Sequence, residues 1–274
     1  MTDSGNNDDL TAATLRRRCA ESYVEAWRQM ARLTGGNVEE ADGATRVTTA
    51  MTGPDFNLMF ITEPPRDPEG VLHAARSFFA KQGVLWKMII VEHGAGAASR
   101  APLEEAAEAA GIDMESSDPG MVLAPIPAAE KPCPEELSIE IIKTPEDLAV
   151  YANTMAEGFE MDPALLAPLN HPRTLRALDL KRYLGRVRGE PVATALRATV
   201  NRVAVLFNIV TLAPWRRRGF GEAITLRAAQ EGLAEGCVAS FLQSTMMGFP
   251  VYFRAGYRHV IDFHGWIPRG SRQS

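Results

Sequence analysis

The hydrophobic positions of the first half of the chain follow helical and strand spacings in alternation. Leu15, Cys19, Tyr23, Ala26 and Met30 recur at helical offsets and predict a helix over residues 11–34, which the pair Gly35-Gly36 ends. Shorter apolar runs bounded by glycine and proline predict the elements that follow. These are strands over 46–50, 57–62, 85–91 and 121–125, and helices over 71–81 and 102–110.

The second half repeats this alternation. Thr144, Pro145 and Asp147 are typical of a capped helix start, and the helix is expected to run to about Gly158. The other elements are predicted from apolar runs and turn residues. They are strands over 137–142, 183–188, 191–199, 203–212 and 238–243, a helix after residue 219, and a short helix over 250–255.

Four prolines between residues 125 and 134 predict a stiff, extended connector between the two halves. The sequence therefore predicts a disordered tail over 1–10, one domain over 11–125, a linker over 126–136 and a second domain over 137–274. The tail is predicted because its residues are polar and acidic.

Composition narrows the class of protein. Hydrophobic residues make up 46% of the 274 positions and charged residues 23%, as in globular proteins that bury a sizeable core. The net charge of −5 does not favour nucleic-acid binding. No run of eighteen apolar residues occurs, and the three cysteines form no C-x-x-C pair, so we expect no membrane span, no metal site and a cytoplasmic location.

The stretch from Val203 to Glu222 combines a strand, a basic glycine turn and a helix start. Glycines at 219 and 221 let the backbone approach a ligand closely, and the first amides of a helix have no intrahelical partner. Three arginines at 216–218 add positive charge. The pattern indicates an anion site. It lacks the third glycine of a dinucleotide-binding turn and the lysine of a P-loop, so an ordinary strand–turn–helix is the alternative.

These residues resemble the acetyl-CoA signature of the GCN5-related N-acetyltransferases, R/Q-x-x-G-x-G/A, in the form Arg216-x-x-Gly219-x-Gly221. The expected second half of that signature region follows as a strand, a short helix with Tyr252, and Gly256-Tyr257. The resemblance implies an α+β fold with a central, mostly antiparallel sheet flanked by helices, here in two tandem copies. It also implies an acyltransferase that uses acetyl-CoA and no metal.

By this resemblance, the glycine turn holds the pyrophosphate of acetyl-CoA, and the main chain of β-strand residues Val210 and Leu212 pairs with its pantetheine arm. Tyr252 is the expected general acid, with a packing role as the alternative. Thr245 is expected near the pantetheine or the sulfur. The full set expected to bind the cofactor is Val210, Leu212, Arg216, Arg217, Arg218, Gly219, Phe220, Gly221, Glu222 and Thr245.

The resemblance leaves two features open. Many members of the family carry a glutamate in the central strand as general base, whereas residues 203–212 contain no acid, so the base is unassigned. In the first half, the corresponding turn reads EPPRDPEG and lacks the signature, which indicates a degenerate domain with a structural role.

The acceptor is expected to be a small-molecule or protein amine, near Phe159 and Met161, with one carboxylate of Glu157, Glu160 or Asp162 steering it. A solvated helix end is the alternative for those carboxylates, and His171 is a weaker candidate for substrate contact. A non-catalytic acyl-CoA-binding module and a purely structural protein are the alternative functions. The sequence names neither the acceptor nor the acyl chain, and it leaves a homodimer open.

Overall fold

The computed structural model describes residues 11–92, 97–128 and 133–271, in which helices cover both faces of one large sheet. The predicted tail over 1–10 and part of the predicted linker lie outside these residues. The helices are α1 Ala12–Thr34, α2 Pro68–Gln82, α3 Ala97–Ala109, α4 Pro145–Gly158, α5 Phe220–Ala234 and α6 Phe249–Ala255. The strands are β1 Val38–Ala41, β2 Ala44–Val47, β3 Leu58–Ile61, β4 Lys87–Glu92, β5 Ile112–Leu123, β6 Leu137–Ile141, β7 Leu180–Val187, β8 Glu190–Val200, β9 Val203–Thr211, β10 Ala239–Gln243 and β11 Arg258–Pro268.

The eleven strands form a single sheet in the order β1-β2-β3-β4-β11-β5-β10-β9-β8-β7-β6. Neighbouring strands are antiparallel except for β3 with β4 and β9 with β10. The last strand of the chain, β11, lies between β4 and β5 of the first half, and β5 in turn pairs with β10 of the second half. Main-chain hydrogen bonds therefore join the two halves across their boundary. The predicted domain limits stay a prediction.

Helix α1 illustrates how local sequence sets the element limits. The Thr11 side chain accepts a hydrogen bond from the Thr14 amide at its start, and Gly35 ends it with a φ of 86°. Both features match the predicted helix over 11–34, because a hydroxyl cap and a left-handed glycine satisfy terminal backbone groups that the helix itself leaves open.

The helices divide between the two faces of the sheet. One core cluster holds α1 and α4 against one face, and two further clusters hold α5 and α6, and α2 and α3, against the other. Helix α1 belongs to the first half of the chain, yet it packs against β8, β9 and β10 of the second. Helix α1 of the first half thus covers one face of strands that belong to the second half.

The prediction missed or shortened three strands. Strand β1 pairs with β2 through a turn at Asp42 and Gly43, both with positive φ, which is an Asp-Gly hairpin signal that the apolar pattern did not capture. Strand β5 begins at Ile112 rather than 121, because its first part is polar and lies beyond the end of β10, where it pairs with β11 alone. Strand β11 itself was not predicted, since charged residues and a glycine interrupt its apolar alternation.

Candidate active site

The turn between β9 and α5 leaves the start of a helix open. Arg217 and Gly219 have φ angles of 63° and 83°, and Gly219 is the N-cap residue of α5 without a side-chain hydrogen bond to the helix. The first backbone hydrogen bond of α5 runs from the Ala223 amide to the Gly219 carbonyl at 3.0 Å. The amides of Phe220 and Gly221 precede that bond, so they have no acceptor within the helix and add to the positive end of its dipole.

Gly221 allows the helix start to approach the end of the strand. A Cβ atom at this position would lie 3.2 Å from the hydroxyl of Thr211, which is a tight contact. Gly219 is required for a different reason, since its φ of 83° is one that residues with a side chain rarely adopt. Gly221 therefore allows the close approach, and Gly219 allows the backbone conformation of the turn.

The three arginines of the turn point in different directions. Arg216 lines the cavity beside the turn and donates from Nε to the Thr211 carbonyl at 3.0 Å. Arg217 also lines this cavity. The Arg218 guanidinium instead lies over the ring of Trp215, at 4.8 Å from its centroid, and forms an ion pair with Glu136. Arg218 therefore contributes to packing on the outer side of the turn.

Strands β9 and β10 separate before the turn. Their parallel pairing runs from Val203 with Ala239 to Leu206 with Leu242, whereas β9 continues to Thr211. A bulge interrupts β9 in the same region, where Asn208 has a φ of 52° and its carbonyl accepts a hydrogen bond from the Thr194 hydroxyl at 2.9 Å. The separation leaves one edge of β9 without a β10 partner, and the bulge bends it further away.

Main-chain direction along this free edge follows from the neighbouring strand. The Leu212 amide donates to the Val192 carbonyl at 2.9 Å, so Leu212 has no free amide to offer a ligand. Successive strand amides point in opposite directions, so the Thr211 amide faces the gap and that of Val210 faces β8. The Val210 side chain nevertheless lines the cavity.

A cavity of about 610 Å³ fills the gap between β9, β10, the glycine turn and α6. Of the eleven residues expected to bind the cofactor or to act in catalysis, eight line it, and Leu212, Arg218 and Phe220 do not. Phe220, the first residue of α5, is buried in the core. The eight are Val210, Arg216, Arg217, Gly219, Gly221, Glu222, Thr245 and Tyr252.

Solved structures with this arrangement are known. A GCN5-related N-acetyltransferase from Kribbella flavida superposes with a TM-score of 0.70 at 20% identity, over 94% of this chain and 96% of that one. One from Sphaerobacter thermophilus gives 0.60 at 15% identity, over 94% and 91%. A tandem GNAT protein from the clavulanic acid biosynthesis pathway gives 0.57 at 15% identity, over 98% and 97%.

The chain has the tandem GCN5-related N-acetyltransferase fold. The matches span nearly the whole of both chains, so the likeness covers both halves and the α+β sheet arrangement, as the sequence predicted. No family model matches the sequence, and a search of curated proteins finds no match either. Identities of 20% and below support the fold rather than a shared activity.

Tyr252 stands at the edge of the cavity within this fold. It is 8% exposed, and its hydroxyl has no hydrogen-bond partner among the described residues. Burial raises the pKa of the phenol above its ordinary value. A Cβ atom at Gly248 would lie 2.9 Å from the Tyr252 ring, so this glycine makes room for it. The phenol is thus held in its protonated form and is available to donate a hydrogen bond.

Thr245 lines the same cavity, but its hydroxyl is already engaged. It accepts a hydrogen bond from the Gly248 amide at 3.1 Å, one residue before α6 begins. Thr245 therefore supports the short helix that holds Tyr252.

The sequence reasoning missed the contribution of α1 to the site. Tyr23 of α1 packs its ring 5.3 Å from that of Phe207, and its hydroxyl donates to the Gln243 side chain. Phe207 and Gln243 both line the cavity. Nothing in the local sequence of α1 indicates a distant strand, so this contact could be found only from the fold.

The carboxylates expected to steer an acceptor do not line the cavity. Glu157, Glu160 and Asp162 are not among its lining residues, and Asp162 instead caps a short 3-10 helix by accepting from the Ala164 amide. Phe159 does line it, with 45% of its surface exposed. His171 is an exposed cap that accepts from the Arg173 amide. The acidic side chain that lines the cavity is Glu222, in the first turn of α5.

Within the described residues, no three His, Cys, Asp or Glu side chains are grouped as metal ligands would be. None of the helices in those residues is both long and apolar enough to cross a membrane.

Proposed function

We propose that the protein is an N-acyltransferase that binds acetyl-CoA between β9 and β10 and transfers the acetyl group to a primary amine. The observation that carries this proposal is the uncapped start of α5, which meets a cavity at the point where two parallel strands separate. Amides without partners, a helix dipole and Arg216 and Arg217 together favour a diphosphate. The names of the neighbouring structures support the same chemistry.

The residues of the cavity fit the parts of such a co-substrate. Gly219 and Gly221 keep side chains away from the open amides, and the free edge of β9 offers the main-chain amide of Thr211 to an extended, amide-containing arm. Phe159 and Met247 give the outer end of the cavity an apolar surface.

The reaction then needs little from the protein beyond orientation and one proton donor. The amine nitrogen attacks the thioester carbon, the carbon–sulfur bond breaks, and the amine loses a proton to water. Tyr252 donates to the departing sulfur, because burial keeps its phenol protonated. We propose that the main chain of the β9 bulge at Asn208, a residue that lines the cavity, supplies the donor to the developing oxyanion.

An acyl-CoA-binding module without turnover is the second candidate. It is favoured by one observation: β9 carries no acid that could accept a proton from the amine. For either candidate we propose a cytoplasmic protein, because none of the three cysteines forms a disulfide bond within the described residues.

A calorimetric titration with acetyl-CoA, followed by measurement of CoA release over a panel of amines, tests the proposal. We expect a dissociation constant in the micromolar range and CoA release that depends on the amine. Binding without release would favour the non-catalytic module. Absence of both would contradict the assignment of the cavity.

A further inference from the structure

One wall of the cavity includes a glutamine whose side chain is held in place. Gln243, the last residue of β10, lines the cavity and is held at both ends of its amide group. Its oxygen accepts from the Tyr23 hydroxyl, and its nitrogen donates to Oδ2 of Asp118 at 3.2 Å. The Ser116 hydroxyl donates to the same carboxylate oxygen at 3.0 Å.

Asp118 lies just beyond the end of β10, on the strand that comes from the first half of the chain. Gln243 is level with Gly120 of β5, and the Ser244 amide donates to the Pro119 carbonyl at 2.8 Å. Asp118 therefore precedes Pro119 on β5, beyond the last residue of β10. It shares a sheet face with its register partner Phe263, which is the face that α1 covers. Asp118 does not line the cavity itself, so it lies outside the space in which we expect the reacting nitrogen of the acceptor.

The carboxylate of Asp118 has no cationic partner among the described residues. Its Oδ1 atom accepts no hydrogen bond from them, and the ammonium of Lys87 is already paired with Asp55 and Glu115. Burial is the largest cause that raises the pKa of the Tyr23 hydroxyl, and the negative charges of Asp118 and Asp55 raise it further. A partly buried carboxylate with one open oxygen beside a substrate cavity favours a positive group on the substrate.

We propose that Asp118 binds a second positive charge of the acceptor, so that the preferred substrates are amines that carry another cationic group at some distance from the reacting nitrogen. Gln243 and Tyr23 hold the carboxylate in place, and the first half of the chain thereby determines substrate specificity. This inference rests on the proposed acyltransferase function and extends it to the class of acceptor.

The experiment compares diamines with monoamines of equal length in wild type and two variants. The acceptors are diaminopropane, diaminobutane and diaminopentane, with propylamine, butylamine and pentylamine as partners. Asp118→Asn removes the charge and keeps the shape. Asp262→Asn is the matched control, because Asp262 lies one strand away opposite Pro119, on the other face, and is paired with His259.

In wild type, we expect at least one diamine to exceed its matched monoamine by about tenfold in kcat/KM, mainly through a lower KM. Asp118→Asn should remove that preference and leave the monoamines within about twofold, whereas Asp262→Asn should change neither. A wild type that does not prefer diamines, or an Asp118→Asn variant that keeps the preference, would overturn the inference.

Failure of the proposed function has a separate signature. Calorimetry of each diamine with the CoA-bound protein measures the Asp118 site without turnover. Diamine binding that Asp118→Asn weakens about tenfold, in a protein that transfers no acetyl group, would support the charge recognition and reject the enzyme. Acetyl transfer without any charge preference would do the reverse.

Discussion

One strand–turn–helix unit in each half of the chain has the same design, and the unit in the second half is the open one. In the second half, β9 leads through Gly219 into α5, whose start has no side-chain cap. In the first half, β3 leads into α2, where the Asp67 side chain accepts from the Gly70 amide at 3.0 Å. The position that would meet an anion in the second half is thus filled by a carboxylate in the first. Prolines at 64, 65 and 68 further remove amides from that turn.

The two units also differ in how far their strands stay paired and in the volume of the cavity beside the turn. Strand β3 pairs with β4 along its whole length, from Leu58 to Ile61, whereas β9 continues beyond its last pair with β10. The cavity beside the first turn has a volume of about 160 Å³, against about 610 Å³ beside the second. Separated strands, an uncapped helix and the larger cavity occur together in the second half, where we propose that acetyl-CoA binds.

The following helices also differ in what they present to their cavities. Helix α6 presents Tyr252, whose hydroxyl has no partner among the described residues. Helix α3 presents Arg100, which forms ion pairs with both Glu92 and Glu104. In the first half, ion pairs within the protein engage the side chain that faces the cavity. In the second half, the Tyr252 hydroxyl is available to donate a proton. Four predictions test this contrast.

The largest effect is expected for Tyr252→Phe. Removing the hydroxyl should lower kcat by about 10²- to 10⁴-fold, because the leaving sulfur loses its proton donor. The acetyl-CoA dissociation constant should stay within about threefold, since the ring is retained. Rapid-quench kinetics and calorimetry measure the two quantities, and unchanged turnover would remove the acid role of Tyr252.

The second prediction closes the open turn with the device that closes the other one. Gly219→Asp places a carboxylate at the N-cap, as Asp67 does in α2. Gly219→Asn is the control, because it has the same shape and the same backbone strain at a φ of 83°. Acetyl-CoA should bind about 100-fold more weakly to the Asp variant than to the Asn variant. Equal affinities, measured by calorimetry, would argue against an anion at this turn.

The third prediction concerns pH. The pKa of Tyr252 is raised by burial, so its acid form persists through the neutral and mildly alkaline range. The amine acceptor, in contrast, becomes reactive as it loses its proton toward a pKa of about 10. We therefore expect kcat/KM to rise about tenfold per pH unit between about pH 7 and pH 9, without a decline. A decline below about pH 9 would mean that a different acid limits the rate.

Much of this contrast could be predicted from the sequence, because it depends on local residues. The Arg216-x-x-Gly219-x-Gly221 spacing predicted the glycine turn, and the absence of that spacing from EPPRDPEG predicted that the first half lacks it. Most helices and strands were placed correctly for the same reason, since caps and apolar spacing act within a few residues. The roles of individual residues in binding and catalysis stay predictions.

The remainder depends on contacts between residues far apart in the chain. The position of β11 between β4 and β5, and the contact of Tyr23 with Gln243, join elements more than 130 positions apart. The direction of Arg218 could not be predicted either, because three adjacent arginines give no sign of which one will pack on Trp215. Register and packing fix these features, and a single sequence does not display them.

The smallest effect is expected for the cap of the closed turn. Asp67→Ala should lower the free energy of unfolding by about 1 kcal/mol, because the Gly70 amide loses its acceptor, whereas Asp67→Asn should retain most of the cap. Denaturant titration measures both variants. If the first half serves only as a support, neither change should alter acetyl-CoA affinity, because the open turn lies in the other half. A gain of a second acetyl-CoA site in Asp67→Ala would instead show that the carboxylate alone keeps the first turn closed.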